Sequence, residues 1–485
     1  MTGKVRNICG TFVVACTVGI AVAALGPISG ARAADYTLVN SVNVGAHAIT
    51  CNFATADTSY FTFDISLVEP DTGKYLLADS SHGRPSSDTE GGLLTGATDG
   101  DVLVIDINNP SSGPTFMLPP KDDPFAGRRC DDNTSFGGVP ATGPNSPGRN
   151  EISGPNGALL VNDTEVWVGD GPSRFVPGQT NSAKDYATDP CDSSVRVFSL
   201  RTGQETDHIN LHGCFRTDEG TFDPIDQIVL IANPSEQPSV AAIDKHARTI
   251  NNSAYVNLIS ARDDRDGDDN GHDHAWDWDN DGNAHHQILA QIPFDGTNGT
   301  IKADAGIEQA VYLRQTGYFY ISIPGTAEDP NDGYMTILDP RQQKVLANIK
   351  LPGCAPSGNA LGPNATLMLG CGDYVFAIDL SSGGKTGTLT AIPFPNPSET
   401  ALACDETTYD IGSDHWGSAC LTNTSKGAFD LLVVDGHSQT FDVELAGAPG
   451  AHSVAADPVT QSFWLPAYQG VCGASTARVA EYGFQ

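Results

Sequence analysis

The feature that most constrains this chain is a short segment that recurs seven times in one register. The copies are DISLVEP (64–70), NGALLVN (156–162), DEGTFDP (218–224), EQAVYLR (308–314), SGNALGP (357–363), ETALACD (399–405) and HSVAADP (452–458). Each starts on a polar residue and runs through a few apolar ones into a turn. A strand pair this short cannot bury its apolar surface alone, so repeated units must stack on one another. Around the anchors, runs rich in Val, Ile, Tyr and Phe recur between Gly, Pro, Asn and Asp clusters, as in KYLLAD (74–79), EVWVGD (165–170), YFYISIP (318–324) and DLLVVDG (430–436). Helical periodicity is scarce, so the composition reads as strands and turns. Several runs end in a hydrophobic-Asp step or its equivalent before a turn, as in FSLRTGQE, ILDPRQQK and AIDLSSGG. That is the grammar of the third strand, turn and fourth strand of a four-stranded blade.

Successive anchors are 92, 62, 90, 49, 42 and 53 residues apart. Four of these intervals fit one blade of roughly 40–50 residues with a modest loop. The two long ones contain insertions: about 108–151, rich in Pro, Gly, Asp and Ser, and 262–286, an Asp/His run. The expected fold is therefore all-β, a seven-bladed β-propeller, with six or eight blades as the neighbouring solutions. A pair of β-sandwiches and a β-helix are the competing architectures. Residues 34–485 are expected to form a single domain. Residues 36–44, YTLVNSVNV, are expected to close the ring as the outer strand of the blade after His452, which removes exposed sheet edges.

Residues 1–33 read as a secretory signal, with Lys4 and Arg6 ahead of an apolar run from Thr11 to Leu25 and a small-x-small site at Ala31-Arg32-Ala33. The run is too short and too interrupted by glycine and proline for a bilayer span. A secreted or periplasmic location and no membrane span are expected. After residue 33 there remain 59 acids against 23 Lys and Arg, a formal charge of −36. Such a surface repels nucleic acid and anionic lipid and attracts cations; solubility in a salty exterior explains it equally well. Export makes disulfides chemically reasonable. Cys354 with Cys371, and Cys404 with Cys420, each flank one strand pair and are expected to bridge locally.

In a propeller the start of every inner strand lies near the central channel. The seven residues at that position are Asp64, Asn156, Asp218, Glu308, Ser357, Glu399 and His452, with Glu219 next to Asp218. Carboxylates held close raise one another's pKa unless a cation neutralises them. Oxygen ligands from Asp, Glu and Asn suit a hard divalent cation, Ca²⁺ first, with Mg²⁺ or Zn²⁺ as alternatives. Histidine is the residue type suited to proton transfer near neutrality, which makes His452 a candidate for it together with Glu308. The competing reading is that these side chains satisfy backbone groups and water around a solvated channel.

The segments SGPNGALLV, RTDEGTFDPIDQIVLIANP, GIEQAVYLRQTGYFYISIPG and GAHSVAADPVTQSFWLP resemble blades of secreted propellers of the YVTN/NHL-like kind. More distantly they look like the gluconolactonase/senescence-marker-protein (regucalcin-like) propellers. That second resemblance implies one axial divalent ion held by Glu, Asn and Asp, here Asn156 with Glu219 or Glu308. His452 and Ser357 have no counterpart in its pattern.

Within the second insertion, Asp277-Trp-Asp279-Asn-Asp281-Gly282 is the D-x-D-x-D-G start of a calcium loop, but the twelfth position is Ile288 rather than Glu. Asp264, Asp266 and Asp268 form a second alternating set, and His272, His274, His285 and His286 add nitrogen donors. Metal binding is expected here; a solvated acidic loop is the alternative. No G-x-S-x-G, H-E-x-x-H or Walker phosphate loop occurs. Three functions stand open: a propeller binding a cation or small molecule at its axial mouth, a metal-dependent hydrolase or lyase, and a scaffold for a protein partner.

Overall fold

A computed structural model describes residues 36–44, 63–79, 98–117, 119, 125–128, 154–171, 193–213, 216–234, 254–262, 286–371, 375–392, 401–422, 429–446, 452–467 and 478–484. The strands form seven antiparallel sheets, six of four strands and one of five. The inner strands are Phe63–Glu69, Ala158–Val161, Gly220–Asp223, Ala310–Leu313, Asn359–Leu361, Ala401–Asp410 and Ala455–Asp457, for blades 1 to 7 in that order. Each touches the inner strand of the next blade, and that of blade 7 touches that of blade 1, so the ring is closed. The expected seven-bladed propeller is the fold. In the first sheet a fifth strand, Phe125–Arg128, also pairs with the third strand, Thr98–Asp106.

Blade 7 takes its outer strand from the other end of the chain. Tyr36–Asn43 pairs antiparallel with Arg478–Phe484, from Tyr36 opposite Phe484 to Asn43 opposite Arg478, with a bulge between Leu38 and Asn40. This is the expected closure.

The second strands explain the apolar runs of the sequence. Ile228–Asn233 is buried at every position because the sheet has a neighbour on each side. Val229 and Ile231 pack toward blade 2, while Ile228, Leu230 and Ala232 pack toward blade 4. The period of two is preserved, but both faces are apolar. The buried side chains fall into seven clusters, one per blade interface. Trp167, Trp416 and Trp464 lie wholly inside three of them. Trp416 also donates its indole N–H to the Ala360 carbonyl of blade 5 at 3.2 Å.

The recurrent aspartate is a turn cap. Asp223 Oδ1 accepts the Ile225 and Asp226 amides, Asp339 Oδ1 those of Arg341 and Gln342, and Asp457 Oδ1 that of Val459. Glu69 does the same for Asp71 and Thr72 in blade 1. Short acidic side chains mimic the backbone acceptor of a turn, which is why this residue ends strand after strand. Both expected bridges form: Cys404–Cys420 crosses the inner hairpin of blade 6, and Cys354–Cys371 ties the end of blade 4 to blade 5.

Deleting residues 36–44 removes the buried Tyr36, Val42 and Val44 and bares the edge of Arg478–Phe484. At about 1.5–3 kcal/mol for each large apolar side chain, the loss should be on the order of 5 kcal/mol. Thermal and urea midpoints should fall, and an unchanged midpoint would show that this strand does not hold the ring shut.

Candidate functional site

The hairpin geometry fixes which residues are equivalent at the axis. In blade 3 the inner strand ends at Asp223, which pairs with Ile228, and Asp218 lies five residues earlier. The same count from Glu69, Val161, Leu313 and Asp457 gives Asp64, Asn156, Glu308 and His452. Four blades repeat one main-chain bond at this point: Asn156, Asp218, Glu308 and Ser357 each donate N–H to the end of their second strand, at Gly169, Ala232, Ser322 and Gly370. Blade 6 differs from the sequence alignment. Its inner strand pairs Asp410 with His415, so the residue in register is Asp405, followed by Glu406. Glu399, the residue expected there, lies outside the described residues. With Asp405 in place the last three intervals become 49, 48 and 47 residues.

Blades 1 and 6 carry matching irregularities at this position, between Phe63 and Ser66 and between Cys404 and Thr407. A bulge leaves a residue unpaired and re-aims its side chain. Asp64 and Asp405 sit in these two bulges.

The side chains form one electrostatic cluster. Arg216 bridges two ring acids, with Nη1 3.2 Å from Asp64 Oδ2 and Nη2 2.8 Å from Asp218 Oδ2. His452 stacks on Phe63 with centroids 4.8 Å apart, and its Nε2 lies 3.8 Å from Asp64 Oδ1. Its carbonyl accepts the Glu406 amide at 3.1 Å. Glu406 Oε2 accepts the Ser453 hydroxyl at 2.5 Å and the Val454 amide at 3.1 Å. Glu406 Oε1 and Glu219 Oε2 are buried with no hydrogen-bond partner among the described residues.

These surroundings shift the acids upward. Burial pushes Glu219 well above the usual carboxylate range, reinforced by Asp218, Glu308, Glu406 and Asp405. Burial does the same to Glu406, against the Ser453 hydrogen bond and with the charges of Asp64 and Asp405. Asp405 is raised by burial, then lowered by His452, raised by Asp64 and lowered by Arg216. Asp64, Asp218, Glu219, Glu308, Asp405 and Glu406 thus share one field with Arg216 and His452.

Asn156 is buried beside this cluster, and its carbonyl accepts the Ile65 amide of blade 1 at 3.3 Å. Ser357 is half-buried at its own place in the register. Next to it, Gln309 of blade 4 reaches across blade 5: its carbonyl and Oε1 accept from Asn359, and its amide donates to Thr407 of blade 6 at 3.3 Å. Asp264, Asp266, Asp268, Asp277, Asp279 and Asp281 lie outside the described residues. His286, grouped with them in the sequence, is buried; its amide donates to Asp207 Oδ2 and its Nδ1 donates to the Ser260 carbonyl.

Arg216, Asp405 and Glu406 were not singled out from the sequence. Arg216 lies two residues before Asp218, and a period of two places it on the same side of an extended chain. Asp405 and Glu406 would have emerged from counting back from the Asp410 turn.

No protein-family model matches the chain, and no curated protein matches it. Solved structures do resemble it. The β-propeller domain of Cps50 (Swd1) from Myceliophteria thermophila superposes with a TM-score of 0.51 at 9% identity, covering 93% of this chain and 100% of that one. Hydrazine synthase from Kuenenia stuttgartiensis gives 0.49 at 9% identity over 86% and 96%, and a chain of a mitotic checkpoint complex 0.49 at 10% over 98% of each. At this identity the first of these speaks for the propeller fold alone. The regucalcin-like resemblance gains no support beyond that architecture. Among the described residues no helix is long and apolar enough to cross a membrane.

A carboxyl raised in the fold holds a proton there that it loses on unfolding, so stability falls as pH rises from its ordinary value, 4.5 for Glu219, toward its raised folded value. Glu219→Gln removes that penalty. In chelator, its thermal midpoint should exceed wild type at pH 7 and match it near pH 4. A midpoint at pH 7 equal to or below wild type would show that Glu219 is not strained by its neighbours.

Proposed function

We propose that the chain is an exported binding propeller whose axial mouth holds a divalent cation, Ca²⁺ in the first instance, and through it a small ligand. The observation that carries this reading is the pair of buried, unpartnered carboxylate oxygens, Glu219 Oε2 and Glu406 Oε1, within one field of six acids. Leaving buried carboxylates unpaired is costly, and a cation is the direct remedy. The donors fit a hard ion: Glu219 and Glu406 would supply the first oxygens, and Asn359 Oδ1, also buried with no hydrogen-bond partner among the described residues, offers a neutral one near Gln309 and Thr407. A bound ion would supply positive charge and an open position for a carboxylate or carbonyl oxygen of a ligand. Arg216 and His452 sit where they can flank that ligand, each already beside Asp64.

A hydrolytic role is the second reading, and the nearness of His452 Nε2 to Asp64 favours it. A histidine oriented by a carboxylate can move a proton during ester or lactone cleavage. Turnover that is lost in His452→Ala would establish it; absence of turnover leaves binding.

The test is Ca²⁺ and Mg²⁺ calorimetry, with elemental analysis, on wild type, Glu219→Gln, Glu406→Gln and Asp279→Ala. The first two variants should lose one equivalent or bind it at least tenfold more weakly. Asp279→Ala should leave that axial equivalent intact and report separately on the insertion, where Asp277, Asp279 and Asp281 are proposed to hold a second cation. Unchanged binding in Glu219→Gln and Glu406→Gln would overturn the axial assignment.

A further inference from the structure

A second constellation lies in blade 6, at the opposite end of its strands from Asp405 and Glu406. His415 begins the second strand, Asp435 ends the third, and Asp442 lies near the start of the outer strand. His415 and Asp435 are direct cross-strand partners. On the other side Val433 pairs with Val443 and Val434 with Phe441, which leaves Asp442 as the extra residue of a β-bulge. Bulges re-aim side chains, and this one delivers the Asp442 carboxylate to the histidine. One ligand atom from each of the three residues lies within 4.8 Å of the other two.

The histidine is held in a defined orientation. Its Nδ1 is 2.7 Å from the Ser413 carbonyl, which can only accept, so Nδ1 carries the proton. The other nitrogen, Nε2, then faces Asp442 Oδ2 at 2.9 Å and Asp435 Oδ2 at 3.9 Å. A bare nitrogen lone pair against two carboxylates is repulsive, so something positive must stand between them. A backbone carbonyl fixing Nδ1–H while Nε2 points at carboxylates is the outer-sphere arrangement of metal-binding histidines. Metal–ligand bonds of about 2.0–2.2 Å in a tetrahedron put donors roughly 3.3–3.6 Å apart, and the two nitrogen–oxygen separations, 2.9 and 3.9 Å, lie on either side of that spacing.

The other blades show that this is a departure rather than a by-product of the fold. Positions matching His415 and Asp435 are Lys74 and Asp106 in blade 1, Glu165 and Ser199 in blade 2, Ile228 and Ser260 in blade 3, and Thr366 and Asp379 in blade 5. The bulge position of Asp442 is Thr206 in blade 2, Leu289 in blade 3 and Leu346 in blade 4. Where all three positions are set out, blade 2 has Glu165, Ser199 and Thr206 and blade 3 has Ile228, Ser260 and Leu289, so neither joins a histidine to two carboxylates as blade 6 does. The closing strand covers the place: Tyr36 packs edge-on to His415 at 5.7 Å, and its hydroxyl lies 2.9 Å from Ser413 Oγ, while Phe484 packs at 5.5 Å.

We infer that His415, Asp435 and Asp442 form a divalent transition-metal site, Zn²⁺ by its one nitrogen and two oxygens, at the seam between blade 6 and the strand that closes the ring. An exchangeable ligand, water in the absence of anything else, completes the four-coordinate sphere. The alternative occupant of the gap is a proton, which makes His415 an imidazolium paired with two carboxylates.

Zn²⁺ calorimetry on the full chain separates the two. Wild type should bind one equivalent more than Asp442→Asn, Asp435→Asn and His415→Gln, or bind that equivalent at least tenfold more tightly. It should also show a Zn²⁺-dependent rise in thermal midpoint that these variants lack. Glu219→Gln serves as a control and should keep this site. Near-UV circular dichroism checks folding. Should His415→Gln fail to fold, the two isosteric aspartate variants carry the test, since Asp435 is a third exposed. Identical Zn²⁺ binding in wild type and variants, or no binding at all, overturns the inference in favour of the ion pair.

Discussion

Packing between adjacent blades is what this molecule depends on. Each sheet has a neighbour on both faces, so the second and third strands carry apolar side chains at odd and even positions alike, as in Ile228–Asn233. A single blade is therefore insoluble surface on two sides, and a row of blades always leaves one face bare at each end. Only a closed ring covers both. The last interface, formed by Val42, Phe63, Tyr75, Leu77 and Trp464, is built from both ends of the chain and is the one that joins blade 7 to blade 1. Closure by Tyr36–Asn43 is thus a packing requirement as well as a hydrogen-bonding one.

Closure has an electrostatic consequence. Seven inner strands converge, and whatever stands at their first positions is brought together irrespective of sequence separation. Here that includes Asp64, Asp218, Glu308 and Asp405, with Glu219 and Glu406 one residue on. Two unit charges 4 Å apart repel by about 4 kcal/mol at an effective dielectric near 20. Arg216 offsets part of this by pairing with Asp64 and Asp218 together. Glu219 and Glu406 are buried, each with one carboxylate oxygen that has no hydrogen-bond partner among the described residues, and there the fold leaves two choices, a retained proton or a bound cation. The interblade packing supplies the energy that holds such a cluster in place, which is how strain at a binding site survives.

Much of the architecture was legible because it rests on local rules. The polar-start, apolar, turn grammar placed six of the seven inner strands in register, and the strand at residues 36–44 was recognisable as a spare outer strand. Blade 6 slipped because ETALACD imitates the grammar six residues too early. The true hairpin, DETTYDI, follows the pattern of DEGTFDP in blade 3, and its register is set by the Asp410 turn and the Cys404–Cys420 bridge. Arg216 escaped notice because it sits outside the repeated segment, before the strand begins. The His415 cluster was invisible for a different reason. Its members are 20 and 7 residues apart in sequence, with no motif linking them, and only strand pairing and a bulge bring them together.

The axial and seam constellations stand at opposite ends of the strands of blade 6. The inner strand runs from Asp405 and Glu406 at one end to Asp410 at the other, and Asp410 pairs with His415. Five residues of extended chain span roughly 16 Å, at which two unit charges interact by about 1 kcal/mol at an effective dielectric near 20. A charge gained or lost at the axis is therefore felt at the seam about a quarter as strongly as by a neighbour 4 Å away. Their mechanical coupling differs, because His452 and Ser453, which tie Glu406, begin blade 7, while Tyr36, which covers His415, ends it. Besides blade 6 itself, blade 7 thus touches both places. It is also the blade assembled from the two ends of the chain, so the ordering of this last-closed sheet is where occupancy of either site would be read.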